Sequence, residues 1–218
     1  AEHSNECWQF DFSTSDLKKL SSEEKDGKTG RTLMLASVTD DRSGFCYQEY
    51  HYVHGEDTLT ALKFLFNAMA PKPFPGCPIQ GRPIKIYTDN PKFTGMDVCT
   101  DITALDVEVL RHMPKGSDGR RTTARSKGKV ERPFLTTKAT HEPLYHLHQP
   151  DSLEEANLWL RRYLRRYNEK QHRTEDRSRR EDWIKMLPAE GFREMCSWER
   201  FCSFARDPET RTVGGDAC

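Results

Sequence analysis

Trp8-Gln9-Phe10-Asp11-Phe12-Ser13 alternates large apolar residues with polar ones, the period of an extended strand that buries one face. The alternation puts Asp11 opposite Phe10 and Phe12, so a sheet built on this strand carries a carboxylate on its other face. After a polar stretch from Ser21 to Gly30, Leu33-Met34-Leu35-Ala36-Ser37-Val38 is apolar enough for a buried strand. Phe45 to Val53 reads as a third strand, reached through the turn-forming run Asp40-Asp41-Arg42-Ser43-Gly44. Three such strands in succession predict an antiparallel meander. Thr58 to Met69 then carries Leu59, Leu62, Leu65, Phe66 and Met69 at helical spacing. A Pro- and Gly-rich connection from Pro71 to Pro83 leads to a short strand, Ile84 to Thr88, that ends at Asp89. A helix is expected from Thr94 to Leu105, a strand from Val107 to Leu110, and a mobile loop from Pro114 to Gly128, where there is almost nothing to bury. Helical spacing resumes at Val130, Phe134 and Leu135 and returns strongly in Leu153, Ala156, Leu160, Tyr163, Leu164 and Tyr167. The order predicts a mixed α/β fold over residues 1–173. The stretch from Thr174 to Cys218 reads as a charged linker with one or two short helices, leading toward a further domain.

The formal charge balances to zero, so bulk composition does not single out nucleic acid as a partner. Its distribution is uneven. Between Arg111 and Arg180 there are 18 Lys and Arg against 9 Asp and Glu, which leaves an acidic first half facing a basic second half. That asymmetry fits an acidic centre beside a phosphate-binding surface, and equally fits solvated helix faces. The 7 cysteines form no Cys-x-x-Cys pair and are odd in number, which argues against a disulfide framework or a zinc knuckle and fits a reducing cytosol. The histidines, His146 and His148 among them, lack partners at metal-ligand spacing and are expected at the surface or in packing. No apolar run approaches the roughly 18 to 20 residues that span a bilayer, so a soluble protein is expected.

A lone strand aspartate is most often a turn former or helix cap. Two strand carboxylates side by side, joined by a third from a helix, are different: they form an oxygen cage suited to hard ions such as Mg²⁺ or Mn²⁺. Two ions bridging a phosphate activate the attacking oxygen and stabilise the leaving one. Other acids have simpler expectations. Asp40 and Asp41 belong to the hairpin turn, Asp16 caps the segment that starts at Leu17, and Asp97 and Asp101 lie on an exposed helix face.

Trp8-Gln9-Phe10-Asp11, Ile86-Tyr87-Thr88-Asp89-Asn90 and Lys127-Gly128-Lys129-Val130-Glu131-Arg132 resemble, in this order, the three acidic motifs of the DDE transposase and retroviral integrase superfamily. Bacterial insertion-sequence and Mu-like transposases are the most similar in flavour. Tyr167-Asn168-x-x-x-His172 is similar to the segment that follows the core in many of those enzymes, so the resemblance runs from Trp8 to Arg173. Pro91 stands where the family usually has Gly, and 41 residues separate Asp89 from Glu131, a longer interval than is usual. The resemblance implies a ribonuclease H-like fold, an antiparallel three-strand meander plus parallel strands flanked by helices. Asp11 and Asp89 would lie on adjacent central strands and Glu131 on a following helix. It also implies that these three residues are catalytic and hold two Mg²⁺ or Mn²⁺ ions when DNA is bound. The implied activity is DNA cleavage and strand transfer by a multimer working on element ends and target DNA in a bacterial cytoplasm. Arg120, Arg121, Arg125, Lys127, Lys129, Arg132 and Lys138 around Glu131, and Arg162 and Arg166 beside Arg161 and Arg165, are the expected DNA contacts. No helix-turn-helix, zinc finger or basic zipper pattern is present, so sequence readout is expected in regions beyond these residues. Two alternatives stay open: a ribonuclease H-like nuclease that cuts without joining, and a decayed transposase that only binds DNA.

Overall fold

The computed structural model describes residues 1–17, 31–53, 58–88, 101–111, 124–171 and 175–203. A five-stranded sheet has the order β3-β2-β1-β4-β5, with β1 at Cys7–Thr14, β2 at Thr32–Asp40, β3 at Cys46–Val53, β4 at Lys85–Thr88 and β5 at Glu108–Arg111. β1, β2 and β3 form the expected antiparallel meander, and β4 and β5 add in parallel beside β1. This is the ribonuclease H-like mixed sheet. The β2–β3 turn closes because the buried Asp40 carboxylate accepts hydrogen bonds from Ser43 N and Oγ and from Asn5 N, while Gly44 takes a φ of 67°, a conformation that costs glycine little.

The strand period sorts the core onto two faces. Trp8, Phe10 and Phe12 of β1 join Met34, Ala36 and Val38 of β2 under helix α1 (Thr58–Met69), where Phe64 stacks on both Phe10 and Tyr47. On the opposite face Leu33, Leu35, Cys46 and Tyr50 meet Phe134 of α2 (Ala124–Thr140) and Ala156, Leu160, Leu164 and Tyr167 of α3 (Leu153–Glu169). Asp11 therefore lies on the α2 and α3 side, as the alternation predicts. Helix α3 starts at Ser152, whose side chain accepts from Glu155 N, an N-cap.

Helix α3 also covers the sheet edge. Asn157 exchanges two hydrogen bonds with the Tyr50 backbone, at 2.8 and 3.0 Å, and Asn168 exchanges two with Cys46, at 2.9 and 2.8 Å. β3 is the outer strand on this side, so the two amides occupy edge groups that would otherwise template aggregation. Asn168 of the Tyr167-Asn168 segment thus has a structural task.

Two local differences from the sequence expectation have physical causes. Helix α2 begins at Ala124, so Ala124 to Gly128 is helical where a loop is expected. Gly128 and the buried Pro133 weaken this helix intrinsically, and its packing against β1 and β2 sustains it. Asp16 N donates to Glu142 and Ser15 Oγ accepts from Leu17 N; the Lys18 and Lys19 amides that a cap at Asp16 would serve lie outside the described residues. Second, the stretch read as a charged linker with one or two short helices holds two of them within residues 175–203, α4 (Arg179–Lys185) and α5 (Trp198–Cys202), and beyond that reading these send Trp183 and Phe201 into the α1-side core. Seven- and five-residue helices are too short to show apolar periodicity. Gly81 marks where this segment crosses the sheet end: a Cβ there would stand 2.8 Å from Phe192 Cβ. Residues 94–100 of the expected helix, 114–123 of the expected loop and 204–218 lie outside the described residues.

Candidate functional site

Asp11 sits half-buried in mid-β1, paired across the sheet with Ser37, and its Oδ1 accepts from Phe12 N at 2.8 Å. Ser37 is in turn the partner of Gln48 on β3. Gln48, Ser37 and Asp11 thus form a polar row across three strands, facing α2. Glu131 is exposed on α2.

Two ties orient α2 along β1. Near its start, Lys129 Nζ donates to the Asp41 carboxylate and carbonyl, both at 2.8 Å, and Asp41 N is bonded to Cys7 O at the beginning of β1. Near its end, Lys138 lies 3.7 Å from Asp16, just past the end of β1. The helix therefore runs in the direction of the strand. Asp11 lies between the two ties on the strand, and Glu131 lies between them on the helix.

The remaining expected residues divide into groups. Arg132, Arg162 and Arg166 are exposed. Lys129 and Lys138 are engaged with Asp41 and Asp16. Beside Arg162 and Arg166, Arg165 pairs with Glu169 at 3.1 Å, and Arg161 stacks over Phe74. Arg125 and Lys127 lie in the first turns of α2, their side chains outside the described residues. Asp89, which directly follows the last residue of β4, also lies outside them, as do Arg120 and Arg121. Among the described residues no group of three His, Cys, Asp or Glu side chains could hold a metal ion.

Asp40 and Asp41 are turn residues, as expected, but not equivalent ones. Burial would raise the Asp41 carboxyl, yet the hydrogen bonds and charges of Lys129 and of the Ala1 ammonium together outweigh it and hold the group below its ordinary range. Burial pushes Asp40 up to about 6, against the lowering hydrogen bonds from Ser43 and Asn5. The folded state then holds the Asp40 proton more tightly than the unfolded chain, whose aspartates titrate at about 3.9. Its effect on stability is most favourable below that range and is lost as pH rises through about 6. Asp40→Asn is expected to remove this part of the pH dependence, read as the change in urea midpoint between about pH 4.5 and 6.5; an unchanged slope would contradict it.

Sequence reasoning missed Glu142. It is 2% exposed and accepts from Ser15 Oγ at 2.7 Å, Asp16 N at 2.9 Å and Tyr50 OH at 3.1 Å, fastening the end of β1 to a single 3-10 turn at Glu142–His146. It also missed Gln48. His141 stacks on Tyr163 and bonds Tyr145 OH, and His148 stacks on Trp159; both are packing residues. A cavity of about 280 Å³ between β3, the Phe74–Cys77 connection and α3 is lined by neither Asp11 nor Glu131.

No family model and no curated protein matches the chain. Solved structures do. The catalytic core domain of BIV integrase is similar over 83% of this chain and 95% of its own, with a TM-score of 0.52 and 14% identity. The HTLV-2 integrase catalytic core domain, in complex with magnesium and in dimeric form, matches over 82% and 94%, at 0.53 and 16%. A chain of the simian T-cell lymphotropic virus intasome in complex with PP2A regulatory subunit B56 gamma matches over 90% of this chain and 60% of its own, at 0.59 and 18%. The fold is that of integrase catalytic cores.

Proposed function

We propose that the chain is the catalytic core of a DNA transposase or integrase, a metal-dependent polynucleotidyl transferase in which Asp11, Asp89 and Glu131 hold two Mg²⁺ or Mn²⁺ ions. The observation that carries this reading is the register of the two central strands. Cys7, Trp8 and Gln9 pair in parallel with Lys85, Ile86 and Tyr87, and the same spacing in residue number relates Asp11 to Asp89. The donor set suits a hard cation: carboxylate oxygens on a polar row of the sheet, with Glu131 on the helix tied along β1. Magnesium in the HTLV-2 core supports the choice of ion. When bound, such ions activate the attacking oxygen and stabilise the leaving one.

The chain's own residues supply ligand positions and charge. β1 sets Asp11, α2 sets Glu131, and Arg132, Arg162 and Arg166, exposed on α2 and α3, are the phosphate contacts the reading favours. Lys129 and Lys138 would reach DNA only by leaving Asp41 and Asp16. The dimeric HTLV-2 core and the intasome support a multimer on DNA.

The test is cleavage and joining of mobile-element end DNA by the full-length protein. Wild type is expected to give both cleaved and joined products in Mg²⁺, and Glu131→Gln neither. Undiminished joining by Glu131→Gln would overturn the assignment, and cleavage without joined product in the wild type would identify a nuclease instead.

A further inference from the structure

Resting on that reading, we propose that Gln48 and Thr137 are positioning residues: a buried polar pin that fixes the register of α2 against the sheet row carrying Asp11, and thereby where Glu131 stands. Thr137 Oγ1 donates to Gln48 Oε1 at 2.8 Å, and Gln48 Nε2 donates to Ser37 Oγ at 3.2 Å. Gln48 and Ser37 are 0% exposed and Thr137 is 1% exposed. Ser37 is the direct cross-strand partner of Asp11. A continuous line of hydrogen bonds thus runs from the helix, through the edge strand, to the residue beside the proposed ligand.

The composition of this contact distinguishes it from ordinary core. A buried amide is costly unless it is hydrogen-bonded, and apolar side chains would fill the same space without that requirement. What they would not supply is direction. Phe134, which among the described residues α2 contributes to the core on this face, is compatible with several rolls and slides of the helix, whereas the Thr137–Gln48–Ser37 line is satisfied in one. The helix needs such a constraint, because Gly128 and Pro133 lie within it. Glu131 precedes Thr137 by less than two turns, so a slide at Thr137 is carried to the carboxylate.

The experiment uses full-length protein and measures strand transfer against Mg²⁺ concentration for Thr137→Val, Gln48→Met and Thr137→Ser, with Asp11→Asn as reference. Thr137→Val keeps the shape of the side chain and removes the donor. Removing partners that orient metal ligands typically costs about 10- to 100-fold in metal affinity or activity, so Thr137→Val and Gln48→Met are expected to raise the half-maximal Mg²⁺ concentration by about that factor while unfolding cooperatively. Thr137→Ser, which restores the hydroxyl, is expected to return the wild-type curve. If Asp11→Asn is inactive but Thr137→Val keeps the wild-type Mg²⁺ dependence, the pin is wrong and the site stands. If Asp11→Asn retains full activity, the site and the pin fall together. Loss of folding in both Thr137→Val and Gln48→Met would make the contact a stabilising one only and overturn the positioning role.

Discussion

Asp11→Asn is expected to lower metal-dependent cleavage and joining by about 10³-fold or more, because a metal clamp contributes several kcal/mol of transition-state stabilisation and about 1.4 kcal/mol corresponds to tenfold in rate. The substitution is nearly isosteric, and half-burial in mid-strand leaves the amide room to keep its contacts. Folding should therefore be little affected, and the loss should appear in the rate of the chemical step with DNA binding largely kept. Asp106→Asn is the control. Asp106 pairs with Arg193 ahead of β5 and belongs neither to α2 and its ties nor to the row of Asp11, so the same carboxylate-to-amide change should lose far less activity. Equal losses in the two variants would mean that general electrostatics, and not ligation by Asp11, carries the effect.

The second large effect is on stability. Trp183 is 2% exposed, packs near Phe45 at 6.3 Å between ring centroids and shares a cluster with Trp8, Phe10 and Phe64. Truncation of a large aromatic in such a place leaves a cavity that the surroundings fill only in part, so Trp183→Ala is expected to cost about 3–5 kcal/mol. The check is urea denaturation followed by circular dichroism. If residues 175–203 were only laid on the surface, the loss would stay below about 1 kcal/mol, in the range of ordinary surface substitutions.

The meander was legible in the sequence because its information is local. Period two in Trp8 to Ser13 placed Asp11 on the correct face, the apolar run from Leu33 to Val38 marked the doubly covered β2, and Asp40 to Gly44 marked the turn. Helices α1 and α3 were equally open to reading, since each buries a continuous apolar stripe. What stayed hidden depends on partners far along the chain. Asn168 entered only through its Tyr167-Asn168 segment and Asn157 carries no signal of its own; that the two hold the backbone of Cys46 and Tyr50 depends on β3, far along the chain. Glu142 has no signature because Ser15, Asp16 and Tyr50 make it a tie. Trp183 and Phe201 stand in the segment read as a charged linker, and their burial depends on a core formed by β1, β2 and α1. For the site, periodicity supplied the strand of Asp11 and the resemblance supplied the role proposed for it; neither pointed to Gln48, whose meaning rests on the row it shares with Ser37 and Asp11.

Asp11 and Asp89 sharing one metal ion is checked in crystals of the chain equilibrated with Mn²⁺, whose anomalous scattering identifies the ion. The expected result is a Mn²⁺ peak in contact, at about 2 Å, with a carboxylate oxygen of Asp11 and one of Asp89. An ordered Asp11 and Asp89 with carboxylates turned apart, and Mn²⁺ bound elsewhere, would contradict it.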